Sequence, residues 1–467
     1  MATTETNLAK PDSYSQNHSA QVIVVGASLS GLQTAYDLQQ DGLSCLVLDA
    51  KSTITPDRAC TAGEAVDETT HLRVCQLARR LGIKLKTRQA FGNDIVEGLG
   101  VSENGIPSLN ESDRRSFIRV RANLDTLSTK VDVNHPAQMF PNYGTMSVHE
   151  IALSQGATAA VQKLVNAWTL AIFGLSSQAV SALYFLLYCK SAGGLVQVLS
   201  CMRSSDQSLW LVGGRHRLLQ ELAAHLAPGT VRASQEVLRI EQMESRCVLT
   251  TAVGEVFQCT KVVLAGLSMC KTVELAPELS RDKKWLKSDY MVGYSARVAL
   301  VYDEPWWRQR GLSGCAMGLE GSVILVKDTS SDDDDDFECR FSLTCTLAGE
   351  QLQDMAEMTG TDRRKVILQQ VQAIFGDGVP SPVDMVELDQ EMSICNNSPA
   401  NLAVPATRLG DLERDLWQSE GNIYFAGAET SFVWRGHNEG ALASGSRVAE
   451  EVLIGLRPSL GRLESRL

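Results

Sequence analysis

Residues 21–50 constrain the fold more than any other part of this chain. The run QVIVVG is apolar and ends in Gly26. LSGLQTAYDLQQDG has helical periodicity and stops at Gly42, and LSCLVLDA is a second apolar run followed by charge. Strand, helix and strand in so short a span make a βαβ unit, which calls for a parallel sheet with helices on its faces. The turn into the helix reads Gly26-Ala-Ser28-Leu-Ser-Gly31. Gly26 permits a tight turn, Gly31 lets helix and strand touch, and the helix N-terminus can receive a pyrophosphate. Asp49, at the end of the second strand, is placed to hydrogen-bond a ribose hydroxyl. The middle glycine of the usual pattern is Ser28 here. Its Cβ crowds a diphosphate, while its hydroxyl offers a hydrogen bond. The unit reads as a dinucleotide site, with a βαβ unit that has lost its ligand as the alternative.

A second segment of the same character lies far along the chain. Ile423-Tyr-Phe-Ala-Gly427-Ala-Glu429-Thr430 is a strand running into a glycine turn. Trp434-Arg-Gly436-His437-Asn-Glu439-Gly440 then opens a helix. This is a second place where backbone N–H groups can face an electron-rich cofactor edge. Gly427, Glu429 and Glu439 are its candidate cofactor contacts.

Between these ends, residues 67–85 and 361–376 have helical periodicity and 156–200 form a helical block. Residues 228–268 alternate like a small sheet ending in KVVLAG. Residues 291–303, 322–327 and 338–347 read as strands of a separate antiparallel sheet. The stretch 90–150 is mixed and polar. The run SSDDDDD from Ser330 reads as a solvated hairpin loop and does not match a calcium loop.

The chain has 467 residues, enough for two or three domains. Its net charge of -12 argues against nucleic acid and anionic membrane surfaces as partners. The first twenty residues are polar and lack the apolar core of a secretory signal. No apolar run reaches the roughly 18–20 residues of a membrane span, so no membrane anchor is expected. The 12 cysteines form no Cys-x-x-Cys pair and no His cluster stands nearby, so free thiols are expected and no metal site. The chain ends in Ser465-Arg466-Leu467, a variant of the Ser-Lys-Leu peroxisomal address.

The pairing of the two glycine segments resembles the flavin-dependent amine oxidases, the group of monoamine and polyamine oxidases. Trp210-Leu-Val-Gly213-Gly214 resembles that family's central Gly-Gly segment. Val237 in EVLRIE resembles its adenine-contacting strand, and Asp303-Glu-Pro305-Trp306-Trp307-Arg a signature of its substrate domain. Phe173-Gly174, Tyr188 and Lys190-Ser-Ala-Gly-Gly-Leu look closest to fungal-type aminopolyol (fumonisin) amine oxidases. The resemblance covers nearly all of residues 21–456. It implies an α/β fold in which an FAD-binding Rossmann-type domain (21–90, 205–270, 385–456) is interleaved with an α+β substrate domain (91–204, 271–384). A lead-in (1–20) and a tail (457–467) flank them. The implied cofactor is FAD, bound non-covalently by preference. The implied partner is a small-molecule substrate, an amine among the candidates, and a homodimer is a possible assembly.

The sequence departs from the family around the reaction face. The family's Arg-x-Gly-Gly-Arg phosphate arm corresponds to Lys51–Gly63, which lacks the Gly-Gly. The lysine that holds a water against the flavin corresponds to Arg297, eight residues before Pro305. The two aromatic rings that flank the flavin correspond to His437 and to the neighbourhood of Cys395 and Asn396. Cys395 reads either as a flavin attachment point or as a structural thiol. His437 and Arg297 are the candidate catalytic residues, with Glu64 a possible neighbour. The leading expectation is oxidation of a C–N bond with oxygen reduced to hydrogen peroxide. The alternatives are a scaffold repurposed for isomerisation, elimination or cyclisation, with flavin structural or absent, and a non-catalytic partner.

Overall fold

In the computed structural model the described residues are 18–53, 64–88, 92–103, 105–133, 143, 145–203, 208–266, 268–280, 283, 291–330, 341–387, 402–403 and 417–457. The first elements are β1 (Ser19–Val25), α1 (Leu29–Gln40), β2 (Cys45–Leu48), α2 (Leu72–Arg80) and β3 (Asn93–Val96). Among the helices that follow are α3 (Glu111–Lys130), α4 (Ala159–Phe173), α5 (Ala182–Ser191) and α6 (Leu195–Cys201). Next come β4 (Val237–Gln242), β5 (Cys247–Thr251), β6 (Val256–Ala265), β7 (Ser295–Tyr302), β8 (Leu312–Met317), β9 (Val323–Asp328) and β10 (Phe341–Ala348). The chain closes with α7 (Gly360–Phe375), β11 (Ile423–Ala426) and α8 (Asn438–Leu456).

The cofactor unit is one mixed sheet. β1 pairs in parallel with β2 on one side and with β6 on the other, and β11 pairs in parallel with the end of β6. Successive residues of β1 face opposite sides. Val22 and Val24 pack with α1, α2 and α8, whereas Ile23 and Val25 join the core that runs through α3 to α6. Residues 228–268 do not form a sheet of their own: β4 and β5 extend the main sheet, and β6 lies at its centre. The reason is length. β6 has 10 residues, so its first half pairs antiparallel with β5 and its second half parallel with β11.

The second unit is a sheet in the order 384–387, β7, β10, β9, β8, β3, 100–103, 106–107. It is antiparallel except where β8 runs parallel to β3. One face packs Val298, Leu300, Trp307 and Val326 against Val371 and Phe375 of α7. The other face looks toward α4, as the cluster of Ala167, Ile324 and Ala348 shows. The acidic run lies in the β9–β10 connection and, beyond Ser330, outside the described residues. The strand 274–276 joins the first sheet and 384–387 the second. Among the described residues, no single helix is long and apolar enough to cross a membrane.

Candidate active site

The two glycine turns meet at the C-terminal ends of parallel strands, where open α/β sheets bind ligands. Gly26 follows β1 with φ +102°, and Gly427 follows β11 with φ +153°, conformations that L side chains rarely adopt. β6 lies between these strands and ends at Ala265. A methyl group on Gly31 would overlap the Gly26 carbonyl oxygen and lie 2.9 Å from Ala265 Cβ. Gly26 and Gly427 are demanded by their left-handed backbone and Gly31 by the close approach of backbone, features that fit a dinucleotide cradle.

Ser28 sits at the N-cap of α1. Its hydroxyl accepts from the Gly31 N–H at 3.2 Å and donates to the Ala265 carbonyl at 3.1 Å. The hydroxyl is thus engaged with helix and strand at the N-terminus of α1. Asp49 accepts from the backbone N–H of Ala27 at 2.6 Å and of Lys51 at 2.8 Å, which ties the glycine turn to the end of β2. The segment leading to Val237 runs alongside. Gln235 N–H donates to the Asp49 carbonyl at 2.7 Å, and Val237 is buried just beyond. Gly26, Ser28, Gly31, Asp49 and Val237 are therefore brought to one end of the sheet.

The C-terminal half assembles differently from expectation at one residue. Glu429 is buried over Gly427. Glu439 is buried too, but its carboxylate accepts from the backbone N–H groups of Arg73 at 3.1 Å and Val74 at 3.0 Å. It caps the start of α2, where a negative charge meets the helix dipole. Glu439→Gln is expected to cost about 1 kcal/mol of stability, read as a lower denaturant midpoint, with any bound flavin retained.

His437 is the N-cap residue of α8. Its Nε2 lies 2.9 Å from the Tyr188 hydroxyl of α5, and its ring meets Trp434 edge-on at 5.1 Å. Trp434 in turn stacks on His71 at 4.4 Å. Its left-handed φ of +45° is held by its N–H, which donates to the Ser191 carbonyl. Desolvation, with His71 and Lys327 nearby, lowers the His437 pKa to about 4. The imidazole is neutral near pH 7. Burial pushes the Tyr188 phenol well above its ordinary value, so it keeps its proton. His71, Trp434 and Lys327 were not singled out from the sequence. A Trp three residues before a His in a glycine-flanked loop was the available signal, and His71 and Lys327 carried none.

Arg297 is exposed on β7. Cys395, Asn396, the arm 54–63 and Ser465–Leu467 lie outside the described residues, as does the Glu64 side chain. The nine described cysteines are free thiols.

A small, partly open pocket of about 50 Å³ lies against the substrate sheet, lined by Phe117 of α3, Leu164 and Trp168 of α4, Met202 after α6, and Met317 and Leu325 of β8 and β9, with room for water rather than for an organic ligand. At its rim Arg203 pairs with Asp94 at 3.5 Å.

Comparison with known proteins agrees with this geometry. Residues 66–453 match the family model of flavin containing amine oxidoreductases. The chain is 24% identical to amine oxidase [flavin-containing] B of Cavia porcellus over 457 residues, 94% of this chain and 86% of that one. It is 23% identical to the A form of Sus scrofa over 458 residues, with the same shares of each chain. Among solved structures, a putrescine oxidase superposes with TM-score 0.83 at 22% identity, covering 93% of this chain and 99% of that one. Cyclohexylamine oxidase from Brevibacterium oxydans gives 0.83 at 22%, covering 94% and 99%. These matches do not favour the non-redox alternative. The chain belongs to the flavin-containing amine oxidoreductase family, and is a flavin-dependent oxidoreductase with that family's α/β two-domain fold.

Proposed function

We propose that the protein oxidises the C–N bond of a small amine or specialised metabolite, with oxygen reduced to hydrogen peroxide and FAD held non-covalently. The observation that carries this is the meeting of the Gly26 and Gly427 turns at one sheet end, with a neutral, hydrogen-bonded His437 at the start of α8 beside them. The amides at the start of α1 would face the diphosphate, Asp49 the ribose, and the Gly427 turn the flavin ring. FAD held there would supply the hydride-accepting and oxygen-reducing chemistry that oxidation of a C–N bond requires.

The chain's own groups shape what meets that ring. Tyr188 and His437 form an uncharged hydrogen-bonded wall, which positions a substrate without adding charge. The purified protein is expected to be yellow. Its visible absorption should bleach under anaerobic conditions on adding a substrate amine, and one peroxide should form per amine when air is admitted. A colourless protein that no FAD restores would refute the proposal. Acid precipitation should leave the flavin in the supernatant; flavin in the pellet would mean covalent attachment. We propose peroxisomal residence on Ser465-Arg466-Leu467, to be checked by imaging a fluorescent fusion with and without these residues.

A further inference from the structure

Two buried thiols face each other across the first sheet. Cys247 opens β5 and Cys259 lies within β6, and the antiparallel register sets them directly opposite. Residues so paired share a face, and both side chains join the apolar core that runs through α3 to α6. The type of the pair follows from the hairpin that joins the strands. Thr251 N–H donates to the Glu255 carbonyl at 3.0 Å, which marks a hydrogen-bonded pair. Bonded and non-bonded pairs alternate along an antiparallel ladder, and Cys247 with Cys259 lies four residues further along, so it is hydrogen-bonded too. The Cα atoms of such a pair stand about 5.5 Å apart, inside the range of about 4.4–6.8 Å that a disulfide spans.

The two sulfurs differ in chemistry. The Cys259 thiol donates a hydrogen bond to the Cys247 sulfur, which, with the Lys261 ammonium nearby, lowers the Cys247 thiol below its ordinary value against the opposing effect of burial. Burial and that same bond hold the Cys259 thiol well above its own. Lys261 is fixed in place by donating to Asn422 Oδ1 at 2.7 Å, and Asn422 Nδ2 donates to the Met243 carbonyl at 2.9 Å. Residues 243–246, the turn between β4 and β5, are exposed, so Cys247 is buried directly beside a solvent-facing turn. An ionisable sulfur, a protonated thiol bonded to it and a cation nearby form a set in which one sulfur attacks an oxidant and the other resolves the product.

We propose that Cys247 and Cys259 form a reversible cross-strand disulfide when the protein meets hydrogen peroxide. The Cys247 sulfur attacks one peroxide oxygen, the O–O bond breaks, and the thiol proton goes to the departing hydroxide, which leaves as water. Cys247 is then a sulfenic acid. The Cys259 sulfur attacks the Cys247 sulfur, the S–O bond breaks, and the hydroxide takes the Cys259 proton and leaves as a second water. Two thiols lose two electrons, and one peroxide becomes two waters. Cross-strand Cβ atoms stand roughly 5 Å apart and a disulfide needs about 3.8 Å, so the strands must draw together and the bond is readily reduced. The inference goes beyond the amine-oxidising reading. Peroxide is added in the test, so either can fail without the other.

The test is peptide mapping. The purified full chain, with the cofactor it carries as isolated, is treated with a small molar excess of hydrogen peroxide, alkylated under denaturing conditions and digested without reductant. Cleavage after Arg246 and Lys261 puts both cysteines on one peptide. That peptide should be unlabelled and lighter by two hydrogens, and further cleavage after Glu255 should leave its halves joined. Dithiothreitol before alkylation should return both labels. Cys259→Ser should stop at the Cys247 sulfenic acid, trapped by dimedone, and Lys261→Gln should slow the loss of label. The wild-type peptide is read without any variant, so the outcome does not hang on the folding of a mutant. Alkylation at both positions after peroxide, a Cys247 bridge to some other cysteine, or sulfinic acid at Cys247 with no bridge would each overturn the inference.

Discussion

Gly31→Ala is expected to destabilise the protein by about 3 kcal/mol and to strip it of flavin. The new methyl group would overlap the Gly26 carbonyl oxygen and press on Ala265 Cβ at 2.9 Å and Val24 Cγ1 at 3.2 Å. The first of these is backbone of the turn that must cradle the diphosphate, and the other two belong to paired strands at the sheet's centre. None is the far end of a flexible side chain. Relief would come only by moving α1 away from the sheet, which also carries its N-terminal amides away from the ligand. Flavin content per protein and the denaturant midpoint should fall together. At Gly42 a methyl group would meet nothing within 4 Å, though φ there is +78°. Gly42→Ala should therefore cost about 1 kcal/mol of backbone strain and leave flavin content unchanged.

The second large effect concerns pH. His437 titrates near 4 in the folded protein against 6.5 ordinarily, because burial, with His71 and Lys327 nearby, disfavours its charged form. Tyr188 from α5 and Trp434 from the preceding loop complete its surroundings, and neither carries charge near neutrality. Between these two values the unfolded chain binds the proton and the folded one does not. Folding stability must therefore rise with pH across that window and fall as the solution is acidified from about 6.5 to about 4. The full shift corresponds to about 3 kcal/mol, an upper figure because His437 keeps some exposed surface. His437→Gln keeps a hydrogen-bonding partner for Tyr188 and removes the titration. Denaturant unfolding of both proteins at pH 7.5, 5.5 and 4.5, values chosen to span that window, is the measurement. The gap between them should narrow or reverse toward acid, while carboxylate titrations cancel in the comparison. A constant gap would mean that His437 does not titrate abnormally.

Much of the frame was legible because it depends on local pattern. The apolar runs ending at Gly26 and Gly427 are strands, and α1, α7 and α8 fall where periodicity put them. The helix α3 was not legible. Its 20 residues are mostly charged or polar, and only Phe117, Val120, Leu124 and two serines face the core. So narrow a stripe is hard to tell from loop sequence, although Asn110 caps it by accepting from Asp113 N–H. The small sheet expected at 228–268 proved to be part of the larger one, for another reason. Alternation marks strands but does not say which strand lies beside which.

The candidate site divides along the same line. Glycines, an acid after a strand and a helix start are properties of short segments, so the sequence alone determined the cradle and the family resemblance. Whether Glu439 would meet a cofactor or a helix depended on α2, more than 350 residues away, docking beneath it. Whether His437 carries charge depended on burial against α5 and on Lys327 across the molecule. That Cys247 and Cys259 share one face follows from the register of β5 and β6. Protonation, capping and shared faces arise from long-range pairing, which no local spacing of residues encodes; only the tertiary structure decided them.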